Sequence, residues 1–525
     1  MRRLVCLLCF MLLTALAASA QRQAPAPART PEAHAARAYR GAVEAGPLAL
    51  YAFLAQFPKG ADLHVHLDGA VYAETFLRDA GEDGLCVNPA ALSSAKPPCA
   101  LPLEPAAQLS GNLTPANQML YDRLIDAFSM RGFVPTSGFS GHDHFFSTFD
   151  RFSGLSKRHT GEWVDEVASR AAAQNEQYLE LMETPVFAHA VSLFRENFLP
   201  SNPSRQQFAQ YRQTLLGLGL RDEVAADREE VRSAEALRSN IEHCGTPQAA
   251  PSCQVEVRFI YQVLRGFPPG QVFAQALLGF ETVQQSMDAG EPGFVGINFV
   301  MPEDGFIAMR DYTLQMKMLD YLHSVYPRVH ISLHAGELAP GLVPPAGLRF
   351  HIRQAIELGH AERIGHGVDG MEEDDPEGLL KQMARGHIMV EINLSSNEEI
   401  LGVKGAQHPF PLYRAAHVPV ALSTDDEGVS RIDLTHEYVR AALDYHLGYQ
   451  DLKQLARTGV EHAFLPGPSL WSAPDEFTSP AAACMGQPLG AGRPSAECRV
   501  FLDGSQKAAA QWELERCFRV FEAEF

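Results

Sequence analysis

Eight short apolar runs, separated by segments of helical pattern, constrain the fold of this 525-residue chain more than any other feature. The runs lie at 61–67, 177–183, 255–263, 294–300, 329–335, 362–367, 387–394 and 418–424. Between the fourth and fifth runs, apolar residues recur at helical spacing, namely Leu314, Met318, Leu322 and Val325. Strands that alternate with helices predict a parallel sheet, and eight strands close a (β/α)8 barrel. The sequence therefore predicts an α/β fold of the TIM-barrel type.

The residues outside these runs suggest how the rest of the chain is organised. We expect an N-terminal leader with a short helix over 21–57, the barrel over 58–465 and a Pro/Gly/Ala-rich extension over 466–525. Two long insertions, at 84–160 and 195–250, follow the first and second strands. Loops that follow barrel strands lie at the carboxyl-terminal mouth, so the first insertion is expected to cover it.

The first twenty residues are typical of a signal peptide. Arg2 and Arg3 precede an apolar stretch at 4–13, and small residues at 18–20 form a cleavage motif. The apolar stretch is too short to span a membrane comfortably. We therefore expect the segment 1–20 to be removed and the protein to be exported, to a periplasm or to the outside, with no membrane partner.

The charge of the chain limits its partners. It carries 63 acidic and 43 basic residues, which gives a formal net charge of -20. Such a surface repels phosphate backbones, so no nucleic-acid partner is expected. We expect a neutral or cationic small-molecule substrate, or one bound through a local basic patch. A homodimer is left open.

The cysteines favour disulfides in an exported protein. Seven cysteines follow the signal peptide, and six of them form close pairs in loop-like sequence: Cys86/Cys99, Cys244/Cys253 and Cys484/Cys498. Local pairing would leave Cys517 without a partner. Sequence alone does not fix the connectivity, and buried free thiols are the alternative.

The first run carries two histidines on the face opposite its apolar residues. In "KGADLHVHLDGA" (59–70), His64 and His66 lie two residues apart, so both point into the predicted barrel. Neutral imidazoles in a dry interior are costly unless something uses their lone pairs, and a metal ion does so. The alternative is a pair of core histidines that hydrogen-bond to the backbone.

Other strand ends carry chemically active residues as well. His334 ends the fifth run, His366 ends the sixth, and Asp425 and Asp426 follow the eighth, while Glu337 follows His334 by three residues. Catalytic groups of barrel enzymes come from the carboxyl ends of several strands. A third histidine and an aspartate from these ends would complete a His3Asp set, which suits zinc and leaves a position for water.

These blocks resemble the signature motifs of the adenosine deaminase family, within the metal-dependent amidohydrolase barrels. The motifs are "KGADLHVHLDGA", "HAGE", "RIGHG" and "STDDEG", and the resemblance covers about residues 58–465. The signal peptide, insertions and cysteines are similar to the secreted, growth-factor-like branch of that family. The resemblance implies an exported zinc-dependent hydrolase that converts adenosine, and deoxyadenosine, with water to inosine and ammonia.

The resemblance also implies a role for each motif residue. One zinc ion per chain would be held by His64, His66, His334 and Asp425. Glu337 would protonate the purine ring nitrogen beside the reacting carbon. A carboxylate at a helix N-terminus is the structural alternative for Glu337. His366 would orient the attacking water and help to deprotonate it.

Substrate contacts are implied for four more residues. Asp426 would hydrogen-bond to the imidazole-side nitrogen of the base, and Asp68 would bind a ribose hydroxyl. Met301 aligns with a glycine whose backbone approaches the base in the family, and Glu303 resembles an acidic family residue. Two departures from the family pattern also bear on the substrate: Glu427 where proline is common, and Asn393-Leu394 where Cys-Pro is common.

Three other functions compete with an adenosine deaminase. Met301 motivates a deaminase of another amino-purine or a pterin-like ring. An AMP deaminase is disfavoured because Asp68 suits a hydroxyl and no basic cluster marks a phosphate site. A non-catalytic signalling or binding barrel is disfavoured because the ligands and the acid are all present.

A second histidine pair, His142 and His144, falls in the first insertion. It could gate the barrel mouth or contact substrate. Ordinary loop histidines are the favoured alternative.

Overall fold

The structure is a computed structural model that describes residues 30–110, 113–194, 199–200 and 202–525. The expected signal peptide lies outside the described residues. Eleven strands occur in the described ranges: β1 Gly60–His66, β2 Cys86–Asn88, β3 Ser93–Ala95, β4 Glu104–Pro105, β5 Glu176–Glu183, β6 Glu256–Leu264, β7 Phe294–Val300, β8 His330–Ala335, β9 Arg363–His366, β10 Met389–Ile392 and β11 Val420–Leu422.

Helices connect and cover these strands. They are α1 Pro31–Ala45, α2 Pro47–Ala55, α3 Leu67–Ala70, α4 Ala73–Glu82, α5 Gln118–Ala127, α6 Gly141–Arg151, α7 Thr160–Ala173, α8 Ala188–Phe194, α9 Arg205–Gly217, α10 Val224–Ile241, α11 Pro269–Ala289, α12 Phe306–Val325, α13 His351–Glu357, α14 Pro376–Gly386, α15 Leu394–Leu401, α16 Phe410–Ala415, α17 Glu427–Ser430, α18 Leu434–Asp444, α19 Tyr449–His462, α20 Ala496–Asp503 and α21 Gln506–Glu522. Among the helices so described, none is long and apolar enough to cross a membrane.

Eight parallel strands form the barrel, in the order β1-β5-β6-β7-β8-β9-β10-β11. A parallel bridge between Val65 and Asp425 joins the last strand to the first. The backbone N–H of His66 donates to the carbonyl of Asp425 over 3.0 Å, and the N–H of Asp425 donates to the carbonyl of His64 over 2.9 Å. The (β/α)8 fold predicted from the eight runs is confirmed, and the bridge places a candidate ligand against β1.

The alternation in β1 explains why histidines occur in a buried strand. Ala61, Leu63 and Val65 belong to the hydrophobic core, and α19 packs against this strand. His64 and His66 occupy the opposite face, inside the barrel. The two-residue period of the strand therefore places the apolar side chains on the outer face and the two histidines on the inner face.

The insertion after β1 and the disulfide bridges occur where the sequence suggests. The segment between β1 and β5 contains α3–α7 and a small antiparallel sheet in the order β3-β2-β4. The three expected cysteine pairs are confirmed as disulfides, and Cys517 is free: the bridges are Cys86–Cys99, Cys244–Cys253 and Cys484–Cys498. The N-terminal leader contains two helices where one was expected, and both α1 and α19 pack against α21 of the extension.

The first insertion lies across the mouth of the barrel. Its helix α6 packs against α15, which follows β10. A Cβ atom on Gly141 would lie only 1.9 Å from the carbonyl oxygen of Glu399, so glycine permits this close approach. On the same helix, Nε2 of His142 lies 2.9 Å from Oδ1 of Asp304, in the loop after β7.

Candidate active site and metal centre

Four side chains from three strand ends bring one ligand atom each to a common point. Nε2 of His334 lies 3.2 Å from Nε2 of His64 and 3.1 Å from Nε2 of His66. Oδ1 of Asp425 lies 3.4 Å and 3.3 Å from the same two nitrogens. Tetrahedral ligands at zinc distances are separated by about 3.3–3.4 Å. The donor types and their spacing therefore fit a single zinc ion.

The tautomers of two of these histidines suit a metal. Nδ1 of His64 lies 2.5 Å from Oε2 of Glu391, and Nδ1 of His334 lies 2.8 Å from Oδ1 of Asn298. The same Asn298 oxygen accepts the backbone N–H of His334, which identifies it as the oxygen. Since carboxylate and amide oxygens only accept, both Nδ1 atoms carry protons. Both Nε2 lone pairs then face the cluster, as a metal ligand requires.

Gln262 is the hydrogen-bond partner of Nδ1 in the third histidine, His66. Its side-chain nitrogen lies 2.9 Å from Nδ1 of His66, and its oxygen accepts the hydroxyl of Thr184 over 2.8 Å. Amide orientations are assigned from such networks. With a metal on Nε2 of His66, the amide would present its oxygen to Nδ1 and its nitrogen to Thr184.

Glu337 sits on the loop after β8 and is held from behind by another carboxylate. Its backbone N–H donates to Oε2 of Glu303 over 2.8 Å, and the N–H of Gly336 donates to Oε1 over 3.1 Å. Nδ1 of His351 lies 2.5 Å from that same Oε1. Glu303, which the resemblance implied as a substrate contact, is thus buried and engaged in fixing the loop of Glu337.

The electrostatics of the site favour a neutral acid at Glu337. Burial, followed by the negative charge of Asp425, raises the pKa of Glu337 well above its usual 4.5. A carboxyl group that stays protonated at neutral pH can donate a proton during catalysis. The geometry therefore suits the role that the sequence assigned to this residue.

His366, at the end of β9, faces the space between the acid and the metal cluster. Its Nε2 lies 3.8 Å from Oε1 of Glu337 and 3.8 Å from Oδ2 of Asp425. In the described part of the chain, this buried nitrogen has no hydrogen-bond partner. An unpartnered buried polar atom in a cluster of this kind is typical of a site that receives a ligand.

Asp426 and Asp68 lie on the β1 side of the site. Oδ1 of Asp426 is buried and has no hydrogen-bond partner among the described residues. A Cβ on Gly69 would lie 1.5 Å from that oxygen, so glycine makes room for the carboxyl group. Burial, followed by the charge of Asp425, raises the pKa of Asp426 well above 3.8. Asp68 is exposed, in the short helix α3 directly after β1.

Three strand-end residues adopt backbone conformations that favour glycine. The φ angles of Met301, His366 and Asp425 are 87°, 68° and 61°. The resemblance aligns Met301 with a glycine, and glycine adopts a positive φ readily. The Met301 side chain lies beside Gly266 and is 40% exposed. Strained conformations of this kind gather at functional sites.

The departures from the family pattern have structural partners. Glu427 accepts a hydrogen bond from Nη2 of Arg170 over 2.7 Å. The side-chain nitrogen of Asn393 lies 3.4 Å from Nδ1 of His366. Glu427 and Asn393 thus both make contacts with residues in or around the site.

Several supporting residues were missed by the sequence analysis. The hydroxyl of Ser396 donates to Oδ2 of Asp425 over 2.7 Å, and the side-chain nitrogen of Asn397 lies 2.9 Å from Nδ1 of His366. The polar string "NLSSN" (393–397), which begins within the seventh run, marked both residues as candidates but did not specify their contacts. Glu391, Asn298 and Gln262 gave a similar signal as polar residues within otherwise apolar runs.

The second histidine pair divides into two structural roles. Nε2 of His144 lies 3.0 Å from the carbonyl of Ser129, and its ring stacks on Phe133 at 4.3 Å. His142 pairs with Asp304 across the mouth. Neither histidine belongs to the metal cluster.

An eight-stranded barrel with a buried His3Asp cluster and a buried acid at its mouth is typical of metal-dependent hydrolase barrels. Residues 236–472 match the family model described as adenosine deaminase. Through this region the chain is similar to the adenosine deaminase family.

Individual relatives match over shorter segments. Adenosine deaminase of Klebsiella pneumoniae is 39% identical over 137 residues, which are 26% of this chain and 38% of that protein. Adenosine deaminase of Clostridium perfringens is 29% identical over 35% of this chain and 51% of that protein. The chain thus spans about half or less of the length of these curated relatives.

A solved structure supports the fold over a longer range. An amidohydrolase from Burkholderia ambifaria, solved with bound Zn, covers 79% of this chain and 88% of its own chain. Its TM-score is 0.50 at 18% sequence identity, a likeness of fold.

Proposed function

We propose that the protein is an exported, zinc-dependent deaminase that hydrolyses adenosine and deoxyadenosine to the inosine nucleosides and ammonia. The observation that carries the proposal is the arrangement around Asp425. One carboxylate oxygen lies 3.3–3.4 Å from the Nε2 atoms of His64 and His66, His334 belongs to the same cluster, and the buried acid Glu337 lies on the loop beside it. Export rests on the signal-like sequence at 1–20 and agrees with three disulfides in the structure.

The chemistry divides between a metal and the chain's own side chains. A zinc ion held by His64, His66, His334 and Asp425 would make water nucleophilic at neutral pH. Glu337 delivers its proton to the ring nitrogen beside the reacting carbon, because attack there pushes electrons onto that nitrogen. His366, at the end of β9, orients the attacking oxygen.

Asp426 binds the other ring of the base. The imidazole-side nitrogen of a purine has a lone pair and can only accept a hydrogen bond. The raised pKa of Asp426 keeps its carboxyl group protonated, so it can donate to that nitrogen. Asp68, exposed at the same edge, accepts from a sugar hydroxyl.

The charges at the mouth favour a nucleoside over a nucleotide. Asp68 interacts electrostatically with Lys157, which already pairs with Glu183 and lies 3.4 Å from Glu230. Asp68 adds a third negative charge that raises the pKa of Lys157. Three carboxylates around one ammonium group repel a phosphate. AMP is therefore the weaker candidate.

A second candidate substrate is another amino-purine or a pterin-like ring. The observation that favours it is the Met301 side chain, which stands at 40% exposure where the family carries glycine. A methionine there narrows or reshapes the space beside the base.

Ammonia release across a substrate panel tests the proposal. The panel contains adenosine, deoxyadenosine, adenine, AMP, guanine and an aminopterin, each assayed with the zinc-loaded protein. Adenosine and deoxyadenosine should give the highest kcat/KM. His66→Ala should abolish the activity, whereas His330→Ala, at the opposite end of strand β8 from His334, should retain it. Preference for adenine, AMP or the pterin by tenfold or so would refute the nucleoside assignment.

A further inference from the structure

The ring of His366 is held on its far side by the helix that follows β10. The side-chain nitrogen of Asn397 lies 2.9 Å from Nδ1 of His366, and that of Asn393 lies 3.4 Å from the same atom. Amide nitrogens donate and cannot accept. Nδ1 of His366 must therefore offer a lone pair, which places the ring proton of a neutral His366 on Nε2.

A second histidine fixes the orientation of the Asn397 amide. Oδ1 of Asn397 lies 2.9 Å from Nε2 of His408. On the other side of that ring, the backbone N–H of Phe410 donates to Nδ1 of His408 over 3.1 Å. A backbone N–H has only one role, so Nδ1 of His408 accepts and Nε2 of His408 carries the proton.

The opposite orientation of the Asn397 amide is excluded because it would leave the His408 ring without a proton. If the Asn397 amide were turned over, its nitrogen would donate to Nε2 of His408. Both ring nitrogens of His408 would then accept, and an imidazole with no N–H is not available near neutral pH. The order of donors is therefore Phe410 N–H to His408, His408 to Asn397, and Asn397 to His366.

The surroundings keep this order intact. His408 is 2% exposed and Asn397 is fully buried, so water does not compete for either side chain. Burial, helped by the positive charge of Arg440, lowers the pKa of His408 to about 3, which keeps its ring neutral. Asn393, where many family members have cysteine, adds a second donor to the same atom of His366.

We propose that His408 and Asn397 are positioning residues that hold His366 as its Nε2–H tautomer. His366 then acts as a hydrogen-bond donor to the attacking oxygen and does not take a proton from it. This differs from the sequence expectation that His366 helps to deprotonate the water. The inference rests on the proposed function only for the group that His366 donates to, the attacking oxygen. The order of donors itself follows from the observed contacts.

Asn397→Asp is the sharpest variant, because it keeps the shape and replaces the donor with an acceptor. It should convert His366 to the Nδ1–H tautomer and turn its Nε2 into an acceptor. If the donor matters, kcat should fall about 100-fold with KM changed by less than about threefold, and zinc content should not change. If His366 were a base, the same variant should keep or raise kcat.

Two variants of His408 cover the case in which Asn397→Asp fails to fold. His408→Gln keeps a side-chain N–H near the position of Nε2 and should stay within about threefold of the wild-type kcat. His408→Leu removes the donor and should lose about tenfold or more. Equal losses in both variants would indicate a merely structural role and overturn the proposal.

Nitrogen-15 NMR of zinc-loaded, histidine-labelled protein supplies a readout independent of activity. The resonances of His366 are assigned by their loss in His366→Gln. The wild type should show the Nε2–H form and Asn397→Asp the Nδ1–H form, whereas an Nδ1–H form in the wild type would overturn the proposal. If the tautomers behave as stated but no substrate of the panel is turned over, the donor order from His408 through Asn397 to His366 is supported and the proposed function is wrong.

Discussion

Oε2 of Glu391 lies 2.5 Å from Nδ1 of His64, on the side of the ring that faces away from the metal cluster. Glu391 is fully buried and also pairs with Arg363 at 2.7 Å, so its position is fixed from two directions. This pair shows how the barrel prepares a ligand: the carboxylate holds the proton on Nδ1 and leaves Nε2 free. Residues such as Glu391, which hydrogen-bond to a ligand without touching the metal, therefore affect metal affinity as well.

Removal of that carboxylate should weaken the metal site without removing a ligand. Glu391→Gln is expected to lower zinc affinity by about 10–100-fold, because the amide no longer fixes the tautomer and basicity of His64. Competition with a chromogenic chelator measures the affinity. Glu362→Gln is the matched control, since Glu362 pairs with His330 outside the cluster, and an unchanged affinity in Glu391→Gln would contradict this account.

Glu337 should separate acid catalysis from metal binding. Glu337→Gln keeps the side-chain shape and is not needed for the His3Asp set, so zinc content and fold should be retained. Loss of a general acid typically lowers kcat by about 10²–10⁴-fold. Steady-state kinetics on the best substrate, with zinc measured in the same sample, test this. A variant that keeps more than about a tenth of the wild-type kcat would exclude Glu337 as the proton donor.

Asp426 should behave as a binding residue. Its contact with the base exists in both the ground state and the transition state, so its loss should affect KM at least as much as kcat. Asp426→Ala is therefore expected to raise KM about tenfold or more while zinc stays bound. A variant with a normal KM and a much lower kcat would instead assign Asp426 to the chemical step.

His408 should make the protein sensitive to acid. Its pKa is about 3 in the folded chain and about 6.5 when unfolded, so the unfolded state binds the extra proton between these values. Stability from this group is present above pH 6.5 and is lost as the pH falls toward 3. The loss at pH 5 should be about 2 kcal/mol relative to pH 7.

Urea unfolding at pH 7 and pH 5, with zinc in excess, measures that loss. The difference between the two pH values should be smaller by this amount in His408→Gln, which has no ring to protonate. Equal pH differences in wild type and variant would show that His408 is not held neutral by the fold.

The sequence predicted the barrel because its signal is repeated eight times and does not depend on any single strand. Strand limits were less accurate: the run at 387–394 contains a strand only at Met389–Ile392, since the polar residues after it turn into helix α15. Close cysteine spacing in loop sequence was sufficient for all three disulfides. The clustering of His64, His66, His334 and Asp425 could be predicted because the strand ends of a closed barrel must meet.

The supporting network could not be predicted in the same way. Ser396 and Asn397 act from the first turn of α15, and His408 comes from the loop beyond that helix. Their contacts depend on how α15 packs over β9, which no local pattern specifies. Glu303 was expected at the substrate because it resembles an acidic residue of the family; in the structure its oxygens accept the backbone N–H groups of Gly336 and Glu337, a contact that no local pattern predicts.

The central claim is that His64, His66, His334 and Asp425 bind one metal ion, and the zinc content of purified protein tests it most directly. Elemental analysis after zinc supplementation and desalting should give close to one equivalent per chain, and His66→Ala should give almost none. The control His330→Ala should match the wild type. Less than about a tenth of an equivalent in the wild-type protein, or full zinc in His66→Ala, would contradict the account.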